Sequence, residues 1–200
     1  MTQVTAEGFT WYRGFIQGKT RIALAWLFAA ALVLSARKYP AWPGITLCFF
    51  GATIRFWASG YLRKDSRPAV GGPYALVRNP LYLGTYLMAV GTAWAVGNLW
   101  LLLVLSVLFA AIYHYIILDE ETKLRRIFGE PYVKYCDAVP RFFPRLWPPS
   151  RAILTEVNPD QTQHRHSWEL SWKNKSYEAY ATFAALIGFV AAIAYVWKTF

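Results

Sequence analysis

The most constraining feature of this chain is an apolar stretch, residues 81–118, that contains no Asp, Glu, Lys or Arg. As a single α-helix these 38 residues would be about 57 Å long, whereas the hydrocarbon core of a bilayer is about 30 Å thick. Gly97 and Asn98, near the middle of the stretch, are residue types that tolerate the backbone of a tight turn. The stretch therefore predicts a hairpin of two membrane-spanning helices that reverses at these residues.

Three further apolar runs are candidates for crossing a bilayer. They cover residues 22–36, 44–62 and 179–197. The first is short, but flanking Lys and Arg side chains can extend to the interface, and the second is interrupted only by Arg55. Only 16% of the residues are charged, against about 25% in soluble domains. The chain is thus predicted to be an all-α polytopic membrane protein with about five transmembrane helices.

The distribution of Lys and Arg predicts how these helices are oriented. With the N-terminus in the cytoplasm, the inside segments hold 17 of these residues and the outside segments hold three. Such a bias is the usual signal for the cytoplasmic side. The net charge of +10 is therefore explained by membrane orientation, and no nucleic-acid partner is expected.

The segments between the apolar runs divide the chain into three regions. Residues 1–62 form an N-terminal region with two transmembrane helices, and residues 63–148 form a core made of a loop, the hairpin and the segment after it. In that segment a helix is expected to stop at Gly129, and a shorter one to end before Pro140. Residues 149–200 are expected to form a polar, irregular linker and a C-terminal transmembrane helix.

Two motifs lie at the predicted cytoplasmic ends of the hairpin. The first, in residues 72–82, reads Gly-x-Tyr-x-x-x-Arg-Asn-Pro-x-Tyr. The second begins with Glu-Glu-x-x-Leu at residues 120–124 and continues with Phe-Gly-x-x-Tyr-x-x-Tyr-x-x-x-Val-Pro at residues 128–140. Because they flank the same hairpin, we expect the two motifs to be adjacent in space. Over about residues 72–144, this pair resembles the superfamily of isoprenylcysteine carboxyl methyltransferases and phospholipid methyltransferases.

The resemblance implies an integral membrane methyltransferase that uses S-adenosylmethionine and takes a lipophilic acceptor from the bilayer, with its active site on the cytoplasmic side. The cofactor carries an ammonium, a carboxylate and a sulfonium, so its pocket needs both an acidic and a cationic side chain. The implied cofactor-binding residues are Tyr74, Arg78, Asn79, Pro80, Tyr82, Glu120 and Glu121. Catalytic roles are predicted for Arg78, Glu121 and His114, and substrate binding for Arg55 and Arg141. No metal is expected.

Several departures from the superfamily pattern leave the acceptor open. Asn79 stands where the carboxyl methyltransferases usually have His, and Tyr113, His114 and Tyr115 precede the acidic pair where those enzymes carry arginines. The pattern of residues 128–140 favours a carboxyl methyltransferase-like enzyme, with a lipid amine N-methyltransferase as the alternative. A small transporter or a membrane scaffold is the alternative outside enzymes. A proton-coupled transporter usually needs a carboxylate within the bilayer, and no acidic residue falls in a predicted span.

Each singled-out residue also has a purely structural interpretation. Glu120 and Glu121 could be a solvated helix end, and Arg78 could anchor the chain at the interface. Arg55, about 10 Å inside the end of its apolar run, could extend its guanidinium to the headgroups. His114 could hydrogen-bond to a neighbouring helix.

The lysine and arginine distribution predicts that Asn98 and Arg126 lie on opposite sides of the membrane. Single cysteines at these two positions, in a background lacking Cys48 and Cys136, should react with an impermeant thiol reagent from opposite faces of sealed vesicles. Labelling of both from one face would rule out the five-span topology.

Overall fold

The computed structural model describes residues 19–36, 38–63, 67–160 and 166–199, and their secondary structure is helical throughout. The predicted all-α class is confirmed for this part of the chain. The elements, in chain order, are α1 (Lys19–Ser35), α2 (Trp42–Ser59), a short 3-10 helix (Gly72–Ala75), α3 (Pro80–Ala95), α4 (Leu99–Phe128), α5 (Glu130–Ala138), α6 (Arg151–Val157), α7 (Trp168–Lys173) and α8 (Tyr177–Thr199).

Two of the described helices, α4 and α8, are long and apolar enough to cross a membrane. Helices α2 and α3 have 18 and 16 residues, or about 27 and 24 Å, and the apolar part of α1 is shorter still. The count of about five spans and the cytoplasmic side therefore stay predictions. Residues 1–18, whose predicted cytoplasmic location is part of that topology, lie outside the described residues.

The reversal predicted at Gly97 and Asn98 is confirmed. Helix α3 ends at Ala95, Gly97 has a φ of +70°, and α4 starts at Leu99. The Asn98 side chain accepts a hydrogen bond from the Leu101 backbone N–H at 2.9 Å, which caps the new helix. A left-handed glycine followed by an Asn cap is what allows one apolar stretch to become two antiparallel helices.

Helices α2 and α3 form the closest contact between elements, because glycines on both let the backbones touch. A Cβ added at Gly91 would lie 2.5 Å from the Cys48 nitrogen, and one added at Gly44 would lie 2.2 Å from the Ala95 nitrogen. Gly51 and Gly84 form a similar close contact further along the same pair. Close approach through small residues is the usual way in which helices associate in lipid, where apolar side chains gain little by leaving the solvent.

The ends of the five longest helices meet at the side of the molecule opposite the two motifs. Ala41 donates a backbone hydrogen bond to the Ala95 carbonyl at 2.9 Å, and the Trp197 indole donates to the Val33 carbonyl at 3.2 Å. The same end carries an apolar cluster whose buried members are Leu32, Ala36, Ala93, Val96, Leu101 and Val190. Several tryptophans there are exposed, as in the aromatic belt of a membrane protein.

The expectation of an irregular surface linker after residue 148 is wrong for the part that the structure describes. Helix α6 buries Leu154 and Val157 against the second motif, and Ser171 of α7 is fully buried. The Asn174 amide donates to the carbonyls of Ser59 and Leu62 at 2.9 and 2.8 Å, so it satisfies the end of α2. The prediction took polar composition as a sign of exposure, but a polar side chain such as Asn174 is used here to satisfy a helix end. Residues 161–165 of the predicted linker lie outside the described residues.

The glycine contact between α2 and α3 should be essential for stability. Gly91→Ala places a methyl group against backbone, which overpacks the interface and should lower the free energy of unfolding by about 1–3 kcal/mol. Gly188→Ala is the matched control, since its Cβ would meet nothing within 4 Å and helix propensity should raise stability by about 0.5–1 kcal/mol. Thermal unfolding of the detergent-purified variants measures both changes. A Gly91→Ala protein as stable as the wild type would show that this contact is not tight.

Candidate functional site

The two motifs are held together by backbone and side-chain hydrogen bonds. Arg78 donates its backbone N–H to the Pro140 carbonyl at 2.9 Å, and Asn79 donates its side-chain amide to the Arg141 carbonyl at 3.0 Å. The Tyr135 hydroxyl donates to the Tyr74 carbonyl at 2.7 Å. The predicted adjacency of the motifs is thereby confirmed, and it does not depend on side-chain charge alone.

Local backbone chemistry explains how the motifs reach each other. Gly72 has a φ of +55° and starts the 3-10 helix, while Pro80 occupies the first turn of α3, where its missing N–H costs nothing. Gly129, with a φ of +63°, ends α4 and starts α5. This reversal brings Tyr132 and Tyr135 into the cluster of buried residues that also contains Ala75.

The centre of the site is a buried carboxylate that binds two arginines. Glu121 is 3% exposed and lies 3.1 Å from Arg78, measured from Oε1 to Nη2. The Arg141 guanidinium donates from Nε and Nη2 to both carboxylate oxygens, at 3.1 and 2.9 Å. Two charge-assisted hydrogen bonds from Arg141 and the ion pair with Arg78 leave this carboxylate little capacity for a further partner. They join α4 to the residues that precede α3 and follow α5.

Two buried polar atoms at this ion-pair network have no hydrogen-bond partner among the described residues. Arg78 also donates from Nη1 to the Cys136 carbonyl, but neither its Nε nor the Tyr74 hydroxyl has a partner among the described residues. Burial raises the pKa of Tyr74 above its ordinary value, and the nearby Glu120 charge adds to the shift, so the hydroxyl stays protonated. Buried polar groups are rarely left unpaired, so these two atoms are candidates for contact with a ligand or with water.

Both atoms belong to residues that line a cavity of about 420 Å³, here called the first cavity. Its volume lies within the range of about 300–1,000 Å³ that is usual for small-molecule sites. Glu120 also lines it and accepts a hydrogen bond from the Tyr82 hydroxyl at 2.9 Å. The charged residues of the lining are Arg55, Arg63, Arg67, Arg78 and Glu120.

A second cavity of about 310 Å³ lies deeper along the same pair of helices. Tyr86 lines it one turn after Tyr82 on α3, and Tyr113 lines it seven residues before Glu120 on α4, so the two cavities share helix faces. The rings of Tyr82 and Tyr113 are in contact, with centroids 5.3 Å apart, where one cavity gives way to the other. The second cavity is mostly aromatic, with Phe109, Phe142 and Phe143 in its wall.

The structure distributes the predicted site residues between these two cavities. The first cavity is lined by Arg55, Tyr74, Arg78, Asn79, Pro80, Tyr82 and Glu120. Glu121, predicted to bind the cofactor, is not part of that lining, because the two arginines enclose it. Arg141 and His114, predicted for substrate binding and catalysis, line the second cavity instead. The roles of all these residues in binding and catalysis stay predictions.

Some lining residues were missed by sequence reasoning. Sequence reasoning assigned no site role to Arg63, Arg67, Tyr132 or Tyr135, yet all four line the first cavity. The signal that could have found the arginines is their position just before the Gly-Gly-Pro turn of the first motif. The two tyrosines both pack in the buried cluster and line the cavity.

Removing the Glu121 carboxylate should destabilise the whole site. Glu121→Ala leaves two guanidinium groups without their counter-ion, and breaking a buried ion pair commonly costs about 3–5 kcal/mol of folding free energy. Glu156→Gln is the control, because it breaks an exposed pair with Lys134 and should leave the unfolding temperature almost unchanged. Thermal unfolding checks both. Equal small effects of the two substitutions would mean that the network contributes little to stability.

Comparison with known proteins shows which family the chain matches. Residues 27–131 match the family model described as phospholipid methyltransferase, which covers more than half of the chain and includes both Arg78 and Glu121. No solved structure matches the chain.

Three curated proteins illustrate the range of its relatives. The cobalt-zinc-cadmium resistance protein CzcN of Cupriavidus metallidurans is 30% identical over 64% of this chain and 63% of its own length. The nickel-cobalt-cadmium resistance protein NccN of Alcaligenes xylosoxydans is 31% identical, over 66% and 58% respectively. The protein-S-isoprenylcysteine O-methyltransferase of Schizosaccharomyces pombe is 35% identical over 42% of this chain and 35% of its own. The chain thus spans less than two thirds of each relative. The family model nevertheless matches more than half of this chain, and the protein belongs to the phospholipid methyltransferase family.

Proposed function

We propose that this protein transfers a methyl group from S-adenosylmethionine to a lipophilic acceptor, in the manner of the isoprenylcysteine carboxyl methyltransferases. The observation that carries the proposal is the lining of the first cavity. Tyr74 and Arg78, each with a buried polar atom that no described residue pairs, line it together with Glu120. Family membership supports the same reaction. We propose that the cavity opens on the cytoplasmic side, as the lysine and arginine distribution predicts.

The residues of the first cavity fit the charges of S-adenosylmethionine. Glu120 can accept from the cofactor's ammonium or ribose hydroxyls, and an arginine of the lining can bind its carboxylate. The Tyr74 hydroxyl and the Arg78 Nε offer donors that no described residue uses. Aromatic faces of Tyr82 and Tyr132 also line the space, and such faces suit an adenine ring or a sulfonium.

When bound, S-adenosylmethionine supplies an electrophilic methyl group on a sulfonium, which is already a good leaving group. The protein's task is then mainly to align the acceptor and to exclude water. Glu121 and its two arginines serve this as positioning residues, because they fix the walls of the cavity. A carboxylate acceptor needs no proton removed, whereas an amine must lose one, and Glu120 is the sole carboxylate lining the described first cavity.

The second cavity supports an acceptor that reaches the site from the bilayer. Its lining residues Tyr86, Phe109 and Tyr113 lie on α3 and α4 within the apolar stretch. Tyr86 is about one turn after Tyr82, and Tyr113 and Phe109 are about two and three turns before Glu120. The apolar tail of the acceptor could occupy this space or pass through it into lipid. In either case the polar head of the acceptor would lie near the first cavity. We propose that Arg141 binds the substrate at the boundary between the two cavities, because its side chain lines the second cavity and also binds Glu121.

The alternative within this family is an N-methyltransferase of a lipid amine such as phosphatidylethanolamine. Activity on a prenylated cysteine analogue and on phosphatidylethanolamine, both in liposomes, separates the two reactions. The names of two relatives refer to metal resistance, which is a property of a cell and not a reaction, so they favour neither acceptor. The transporter and scaffold alternatives predict that S-adenosylmethionine does not bind.

Cofactor binding tests the proposal directly. Glu120→Gln should weaken S-adenosylmethionine binding at least about tenfold, because a hydrogen bond to a charged group is worth about 1.5 kcal/mol or more. The exposed Glu130→Gln of α5 is the matched control and should bind as the wild type does. Titration calorimetry of the detergent-purified proteins measures the affinities.

Two results would contradict this. A wild-type protein that binds no S-adenosylmethionine would remove the proposed reaction. Equal affinity of the wild type and Glu120→Gln would place the cofactor's polar groups elsewhere than beside this carboxylate.

A further inference from the structure

We infer that residues 141–147, the loop that follows the second motif, insert their aromatic side chains into the lipid bilayer beside α4. The partner of this loop is the leaflet on the side of the two motifs, whose hydrocarbon receives the rings while the arginines stay among the headgroups. The insertion is independent of the proposed reaction and requires only that α4 crosses the bilayer. It is a contact with lipid that no membrane-spanning helix makes.

Helix α4 shows where the bilayer ends on this side. The 20 residues from Leu99 to Leu118 contain no Asp, Glu, Lys or Arg, and Asp119 follows them. A helix of this length is about 30 Å long, which is the thickness of a hydrocarbon core. Leu118 therefore marks the boundary at which lipid chains give way to headgroups, and Glu121 lies beyond that boundary.

The ring of Phe142 lies on the lipid side of this boundary. It packs against Phe109 with the ring centroids 6.0 Å apart, and against Tyr86 at 5.7 Å. Phe109 is nine residues before Leu118, or about 14 Å into the apolar part of α4. Tyr86 is five residues after Leu81, where the apolar stretch begins, or about 8 Å into it. A ring that contacts both side chains lies at the depth of the lipid chains.

The backbone of the loop returns to the boundary on both sides of this ring. The Arg141 carbonyl accepts a hydrogen bond from the Asn79 amide at 3.0 Å, and Arg145 donates its backbone N–H to the Leu76 carbonyl at 2.9 Å. Both ends are thus held by the first motif, outside the apolar stretch. Protein groups must satisfy irregular backbone at membrane depth, and Pro144 between these ends has no N–H to satisfy. The backbone can therefore stay near the boundary while the rings extend into lipid.

The exposed side chains of the loop suit lipid better than water. Phe143, Leu146 and Trp147 are 81, 89 and 79% exposed, so three large apolar side chains within five residues are largely uncovered. Covering a side chain of this kind stabilises by about 1.5–3 kcal/mol. Arg145 lies among them and is exposed as well. Aromatic rings mixed with arginines are typical of segments at the interface between lipid chains and headgroups.

The position of the loop decides between lipid and a protein partner. Phe143 packs its ring against that of Phe142, with centroids 5.7 Å apart, and both line the second cavity between α3 and α4. A water-soluble protein could not reach side chains at this depth. A second copy of the chain would have to approach through the bilayer and displace lipid that is already there. Lipid is therefore the partner that this position favours.

Depth-dependent fluorescence quenching tests the insertion on the full-length protein in liposomes. The variants Phe143→Cys, Val107→Cys and Arg126→Cys each carry an NBD fluorophore. Cys48 and Cys136 are buried, and wild-type protein treated alike gives the background signal. Val107 is exposed about 16 Å inside the boundary, and Arg126 is exposed about 12 Å outside it. The liposomes contain lipids with a nitroxide either near the headgroup or near the middle of the acyl chain.

The label at Phe143 should show blue-shifted emission and should lose more of it to the nitroxide near the headgroup than to the deeper one. The label at Val107 should show the opposite preference, and the label at Arg126 should be quenched little by either. Iodide in the water should quench most at Arg126 and least at Val107. Leu146→Cys, a second site in the loop that removes no ring, should also be quenched by the nitroxide near the headgroup.

Three results would overturn the inference. Iodide quenching at Phe143 and Leu146 as strong as at Arg126 would place the loop in water. Labels at both loop sites that neither nitroxide nor iodide quenches would be covered by protein. Absence of nitroxide quenching at Val107 would remove the crossing of α4 on which the insertion depends. None of these measurements involves S-adenosylmethionine, so their outcome is separate from that of the methyltransferase proposal.

Discussion

The architecture of this site depends on the contact between one buried carboxylate and two guanidinium groups. Glu121 is on the long helix α4, while Arg78 and Arg141 are in irregular segments that are joined to each other by hydrogen bonds. The ion pairs attach both segments to the helix. A charge that is almost fully buried is tolerated only when it is paired and hydrogen-bonded. The folded state that satisfies Glu121 is therefore also the one in which both motifs stand at their observed places, and the first cavity forms above them.

The glycine contact between α2 and α3 supplies a complementary constraint from the membrane side. It fixes the lateral distance between the two helices, and Gly84 leaves space for the stem of Arg55 beside that contact. The residues that confer polarity on the cavity are thus positioned by two different kinds of interaction. Ion pairs hold the wall that the two motifs form, and small-residue packing holds the wall that α2 and α3 form.

The fold and the site were predictable from sequence to different degrees. The hairpin followed from the length of the apolar stretch and from Gly97 and Asn98, and the adjacency of the motifs followed from the hairpin. Which of two neighbouring glutamates would be buried did not follow, because they point about 100° apart on α4. The positions of Arg78 and Arg141, both distant in sequence, decide between them. Likewise the end of α2 at Ser59 depends on Asn174, which is far along the chain.

The segment after residue 148 has a consequence for the order in which the protein matures. Leu154 and Val157 pack against Tyr132, Tyr135 and Val139, which are the residues that support the wall of the first cavity. Synthesis proceeds from the N-terminus, so both signature motifs leave the ribosome before this supporting helix exists. The walls of the first cavity are then complete only after translation has passed Val157, and a nascent chain halted earlier would expose tyrosines that the finished protein keeps buried.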